Sequence, residues 1–143
     1  MMSALLFSTV LRVEFEDLDA GGVVHHPNYL KICERARSLW LEPFAADFVT
    51  LKANDIALAV RGINAEYRKP IAMGNARVEI HFVSRKTKVL VVQQKIFALD
   101  GRFASPEKEN FRAEFTLVAM NYSTSSACDL PQSVLRALET TGG

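Results

Sequence analysis

Residues 27–43 read Pro-Asn-Tyr-Leu-Lys-Ile-Cys-Glu-Arg-Ala-Arg-Ser-Leu-Trp-Leu-Glu-Pro, and this stretch decides the fold. Pro27 suits the first turn of a helix, where its missing N–H would have no intrahelical partner, and Pro43 stops continuation. Between them Leu30, Cys33, Arg37 and Trp40 share one side, with Tyr29, Ile32, Ala36 and Leu39 alongside. The spacing predicts a helix of about four turns, too apolar to stand alone in water. A sheet must cover it.

The rest of the chain supplies strands. Leu11, Val13 and Phe15 alternate with Arg12, Glu14 and Glu16, which predicts a strand with one apolar face. Residues 44–54 read as a connection with room for a short helical turn. Ile56, Leu58 and Val60 then alternate, and Ile63, Ala65 and Tyr67 resume the pattern after Gly62. Arg68 to Gly74 separates strands; Val78, Ile80 and Phe82 mark another, and residues 89–99 form a long β-prone run. Asp100-Gly101 is a tight hairpin if Phe103 pairs at once, whereas residues 105–110 leave room for a larger excursion. Phe111, Ala113, Phe115, Leu117 and Ala119 close the series, before a polar crossing and a short helix over residues 134–138. The expected class is α+β, one antiparallel sheet curved around one long helix. At 143 residues the chain buries one core, so residues 1–143 are read as one domain, with 122–143 a C-terminal extension or short helical tail.

Composition excludes several functions. The formal charge is +1, so no global field recruits nucleic acid or a membrane surface. The apolar run at residues 4–7 lacks the basic start of a secretory signal, and no run approaches the roughly 20 residues that span a bilayer. A cytoplasmic chain is expected. Cys33 and Cys128, the only cysteines, are too few for a disulfide scaffold, and Cys33 is expected to act as a small buried hydrophobe. His25, His26 and His81 show no zinc-ligand spacing, so no metal is expected. His25 is expected to point away from any site, and His81 to face solvent or act locally.

The chemistry concentrates in Glu16-Asp17-Leu18-Asp19-Ala20-Gly21-Gly22-Val23-Val24-His25-His26-Pro27-Asn28-Tyr29. Asp19 sits in a Gly-rich loop ahead of a helix whose first turn offers unsatisfied N–H groups. Such donors steady negative charge on a carbonyl oxygen while a carboxylate attacks the carbon or activates water. An Asp ahead of a helix is also a common structural cap.

This segment, through Glu34-Arg35-Ala36-Arg37, resembles the hotdog-fold acyl-CoA thioesterases, particularly the branch containing 4-hydroxybenzoyl-CoA thioesterase and the Tol-Pal-associated thioesterases. The resemblance implies a single hotdog domain that hydrolyses acyl-CoA. It makes Asp19 the catalytic nucleophile or general base, and gives His26 a backbone N–H that polarises the thioester carbonyl and an imidazole that is itself a catalytic candidate. Gly22, Tyr29 and Glu34 are expected to position substrate, although Glu34 equally suits an ion pair with Arg37 or a dimer seam. The basic run Ser84-Arg85-Lys86-Thr87-Lys88 is similar to loops that meet the nucleotide end of coenzyme A; Ser84, Arg85, Lys86 and Lys88 are the expected contacts near the cleft entrance. Trp40, Phe44 and Ile56 border an acyl tunnel or serve as core or dimer contacts. Coenzyme A belongs to the substrate, so no separate cofactor is implied. The resemblance further implies a homodimer at least, with a homotetramer the expected assembly, and leaves an acyl-carrier protein as an alternative substrate carrier.

Overall fold

The computed structural model describes residues 4–139, so the two ends of the expected 1–143 domain lie outside the described residues. Five strands, β1 Ala4–Val13, β2 Ile56–Tyr67, β3 Gly74–Arg85, β4 Val89–Ala98 and β5 Phe111–Asn121, form one antiparallel sheet in the order β1-β3-β4-β5-β2. Helix α1, Asn28–Leu41, lies on its inner face; a short α2, Phe48–Ala53, and a terminal α3, Gln132–Glu139, complete the chain. Helix α2 falls in the 44–54 connection, where the sequence left room for a short helical turn.

Helix α1 buries Tyr29, Ile32, Cys33, Ala36, Arg37, Trp40 and Leu41, most of the helical spacing read from sequence, whereas Leu30 is half-buried and Leu39, expected alongside them, is exposed. It meets an apolar carpet in which Val78, Ile80, Ile96, Phe115 and Leu117 are all essentially inaccessible. One polar residue interrupts that carpet. Gln94 is fully buried on β4, donates to the Cys33 carbonyl at 2.9 Å and accepts from the Arg37 guanidinium at 2.7 Å. Arg37 also stacks 4.4 Å over the Phe115 ring, and burial pulls its pKa down. The charge thus sits on a fixed acceptor under the helix, where an unpaired cation would be costly.

One expectation is corrected and one open alternative is decided. The first strand begins at Ala4 and stops at Val13, and Phe15 lies beyond it in a 3-10 turn, Phe15–Asp17, with 80% of its surface exposed. The Asp17 carboxylate accepts the Glu14 N–H at 2.9 Å, and the backbone folds back before the alternation can continue. Residues 99–110 form the larger excursion, because buried Asn110 holds the Ala98 N–H and the carbonyls of Pro70 and Phe103. The break at Gly62, by contrast, is a β-bulge: Val60 pairs with Leu117 and Gly62 with Thr116, so Arg61 is the extra residue. It keeps Ile63, Ala65 and Tyr67 on the inner face after the phase shift.

The registers give the sheet two distinct ends. One gathers Val13, Gly74, Phe111 and Tyr67 beneath the start of α1; the other gathers Arg85, Leu90, Asn121 and Ile56. Edge strand β2 extends past the cover of α1, leaving Val60, Ile63 and Tyr67 42%, 45% and 48% exposed.

Candidate active site

The loop before α1 is tied at almost every peptide. Leu18 bridges Val24, the Asp19 N–H donates to the Val23 carbonyl at 2.8 Å, and the Gly22 N–H donates back to the Asp19 carbonyl at 3.0 Å. Gly22 adopts φ +82°, the left-handed region that suits glycine, so it closes the turn that presents Asp19. Asp19 Oδ1 accepts the Gly21 N–H at 2.8 Å and, at longer range, the Val23 N–H at 3.5 Å. The side chain is exposed and caps its own loop rather than the helix, whose N-cap position belongs to Pro27 without any side-chain cap.

Helix α1 starts against this loop. The His25 N–H donates to the Asp17 carbonyl at 2.9 Å, and Asn28 Nδ2 donates to the same oxygen at 3.0 Å. The His26 N–H has no acceptor among the described residues, Pro27 has no N–H, and the helix field at this end favours negative charge. The Tyr67 hydroxyl donates to the His26 carbonyl at 3.0 Å, bracing the following His26–Pro27 peptide. Tyr67, Tyr29 and Phe111 form an aromatic knot with ring centroids 4.9–5.1 Å apart. Burial raises the Tyr29 pKa, the Ile71 backbone opposes this, and the charges of Tyr67 and Asp19 add to the rise. Asp19 and the first turn of α1 therefore share one electrostatic neighbourhood. Both histidines are exposed, and the His25 ring, expected to point elsewhere, meets the His26 ring edge-on at 4.7 Å.

Asp19, Gly22, His26 and Tyr29 thus come together, whereas Glu34 lies elsewhere. With Arg37 and Ser38 it lines an open groove of about 680 Å³ between α1, α2 and β2. Ile56 lines the groove; Trp40 is buried in the core and Phe44 packs against it. Cys33 is fully buried and its thiol is pushed up to about 12 by desolvation, against the opposing Arg37 charge, which makes it inert. His81 is largely covered and bonds Glu79 at 2.9 Å.

The basic run forms the turn between β3 and β4, with Ser84, Arg85, Lys86 and Lys88 all exposed. Lys88 pairs with Asp129 at 2.8 Å, while Arg85 and Lys86 have no ion pair among the described residues. This turn was expected near the cleft entrance. In one chain it is instead at the opposite end of β3 from Gly74 and the Asp19 loop, about 36 Å along the strand. The intervening distance is a product of strand length, which the sequence showed, and of which strand end carries α1, which it did not. Tyr67 and Gln94, the residues that fix the helix start and the helix body, were not singled out by sequence; strand periodicity marked the face of Tyr67 but not what it would touch.

Among the described residues no cluster of His, Cys, Asp and Glu could hold a metal ion, and no helix is long and apolar enough to cross a membrane. A family model described as the thioesterase-like superfamily matches residues 13–138. The acyl-CoA thioesterase YbgC of Helicobacter pylori is 34% identical over 124 residues, covering 85% of this chain and 91% of that protein. The acyl-CoA thioester hydrolase YbgC of Escherichia coli is 29% identical over 94% of this chain and 96% of its own length. Among solved structures, the 1,4-dihydroxy-2-naphthoyl-CoA thioesterase of Synechocystis superposes with a TM-score of 0.81 at 19% identity, over 92% of this chain and 94% of that one.

Proposed function

This chain belongs to the thioesterase-like superfamily, a single hotdog domain, and from that premise we propose that it hydrolyses acyl-CoA thioesters to the free acid and coenzyme A. The observation that carries the reading is the pairing of an exposed, turn-held Asp19 carboxylate with an unpartnered His26 N–H at the start of α1. The thioester carbonyl oxygen accepts that N–H, and charge developing on it is steadied by the helix end. Asp19 attacks the carbonyl carbon and expels coenzyme A as a thiolate, leaving a mixed anhydride that water opens to two carboxylates with release of two protons, one of which the thiolate takes up; or Asp19 takes a proton from the attacking water and that proton passes to the departing sulfur. The His26 imidazole, exposed beside this N–H, is suited to orient water or pass the proton.

The working unit is at least a homodimer built on β2. Its open edge and its exposed Val60 and Ile63 favour antiparallel pairing with a second β2. Such pairing reverses the strand, bringing the basic-turn end of one copy alongside the Asp19 end of the other. That arrangement reconciles Arg85 and Lys86 as phosphate contacts with their distance from Asp19 in the same chain, and the nucleotide end of coenzyme A is then held in trans.

Asp19→Asn tests the reading. Asn retains an Oδ1 that accepts the Gly21 N–H, so the loop and the thermal stability should persist while kcat/KM on acyl-CoA esters falls by about 10²–10⁴-fold. Hydrolysis undiminished by this change would refute the assignment.

A further inference from the structure

The turn between β3 and β4 carries Arg85, Lys86 and Lys88, and the fold treats these cations unequally. Lys88 Nζ lies 2.8 Å from Asp129 Oδ1, whereas Arg85 and Lys86 have no ion pair among the described residues. The hydrogen bond to Asp129, and then its charge, raise the Lys88 pKa, which reinforces the ammonium form. Arg85 borders an open hollow with Phe82, Leu135, Leu138 and Glu139, and it makes no ion pair with that glutamate.

Exposed ion pairs are ordinarily loose, because two side chains must be held in one geometry against solvent. Here the backbone on both sides is fixed. After β5 the chain doubles back, with the Asn121 N–H donating to the Ser126 carbonyl at 2.8 Å and the Cys128 N–H to the Ala119 carbonyl at 2.9 Å. The Leu130 N–H then donates to the Thr87 carbonyl at 2.9 Å, and the Ala119 N–H to the Lys88 carbonyl at 3.0 Å. The residues on either side of Asp129 are thus bonded to β5 and to the turn, and buried Leu130 anchors the segment in the core. The short Asp129 side chain stands at a set place among the cations.

A fixed anion inside a phosphate-binding turn works against the ligand. The 3′-phosphate and the pyrophosphate of coenzyme A are acceptors for the same ammonium that Asp129 already holds. The nucleotide takes no part in acyl transfer, so contacts to it are equally strong in the substrate, the transition state and the released coenzyme A. Such contacts lower KM and retain the product to the same degree, and they add nothing to kcat.

We propose that Asp129 is a residue of the coenzyme A site that opposes binding: it competes with the phosphates for Lys88, leaves Arg85 and Lys86 as the phosphate contacts, and weakens retention of coenzyme A after hydrolysis. The inference rests on the thioesterase reading and on the basic turn as the nucleotide contact. It adds a residue from the C-terminal segment, which no catalytic step uses.

The test takes the acyl-CoA that the wild-type protein hydrolyses fastest among acetyl to hexadecanoyl and benzoyl esters, together with the matching acyl-pantetheine thioester. KM, kcat and the inhibition constant for free coenzyme A are measured for the wild-type protein, Asp129→Asn, Lys88→Ala and the double variant. Asp129 is exposed and Asn keeps its shape, and thermal melting checks that the fold persists. At low salt Asp129→Asn should lower KM for the acyl-CoA and the inhibition constant by about fivefold alike, the worth of one freed ammonium–phosphate contact in water. kcat should not rise, the pantetheine ester should be unaffected, and high salt should erase the difference. In the Lys88→Ala background the gain should vanish, since the ammonium that Asn would release is gone. An equal gain with and without Lys88 would overturn the competition, because Asp129 would then act by its charge alone. Unchanged constants in Asp129→Asn, or an equal shift on the pantetheine ester, would overturn it while leaving the thioesterase reading intact. An Arg85→Ala, Lys86→Ala variant with the wild-type KM would remove the turn as the nucleotide contact and this inference with it. No hydrolysis of any ester by the wild-type protein would remove the thioesterase reading as well.

Discussion

The Tyr67 hydroxyl at the end of β2 donates to the His26 carbonyl at the start of α1 across 3.0 Å, joining residues 41 positions apart. The N–H of His26, in the preceding peptide unit, has no partner among the described residues. An edge strand thus braces the residue whose N–H a thioester carbonyl needs.

Tyr67→Phe removes that hydrogen bond and keeps the ring against Tyr29 and Phe111. Stability should fall by about 0.5–1.5 kcal/mol in urea unfolding. In steady-state assays kcat should fall several-fold with a smaller change in KM, because the helix start that carries the donor loses its brace while the other contacts to substrate stay. An unchanged kcat would show that the helix start needs no such support.

Gln94→Leu leaves the buried Arg37 guanidinium and the Cys33 carbonyl without their partner. The expected loss is at least about 3 kcal/mol, measured as a shift in the urea midpoint with unchanged slope. Pairing it with Arg37→Met should recover part of that loss, since the stranded charge is then gone.

Mixing Asp19→Asn protomers with an Arg85→Ala, Lys86→Ala double variant should restore activity that neither parent has at low acyl-CoA concentration. Each mixed dimer carries one site with an intact carboxylate and an intact basic turn from the other copy. Failure to restore activity after verified subunit exchange would mean that coenzyme A is held within one chain.

Cys33 gives a pH signature. Its folded thiol titrates at about 12 against 9.0 for the free group, with burial the leading cause. A folded pKa raised in this way makes no demand on stability below 9.0; above it the unfolded chain loses the proton first, and stability declines up to about 12. Compared with Cys33→Ala, the wild-type protein should lose up to about 1.4 kcal/mol more per pH unit across that window. Parallel pH profiles for the two proteins would contradict the burial argument.

Periodicity alone marked α1, the inner-face stripes of the strands and the phase break at Gly62, because those patterns follow from side-chain directions along a single element. The Asp19 loop was legible for a local reason as well: the glycines, the acid and Pro27 act within one short stretch. The first strand was misplaced at both ends, since Phe15 continues the alternation in composition while the Asp17 side chain turns the backbone away from it. Glu34, expected to position substrate, stands two helical turns beyond the helix start on the groove wall, a separation that helical spacing alone gives.

What the sequence determined by itself is the set of elements, the apolar face of each, and the acid and donor at the helix start, all properties of neighbouring residues. The tertiary structure decided that Tyr67 meets His26, that Gln94 anchors Arg37, that α1 leaves β2 uncovered, and that the basic turn stands at the far end from Asp19. Each of these depends on strand order and register between segments dozens of residues apart, and no local pattern encodes which end of a strand will lie beneath which end of a helix.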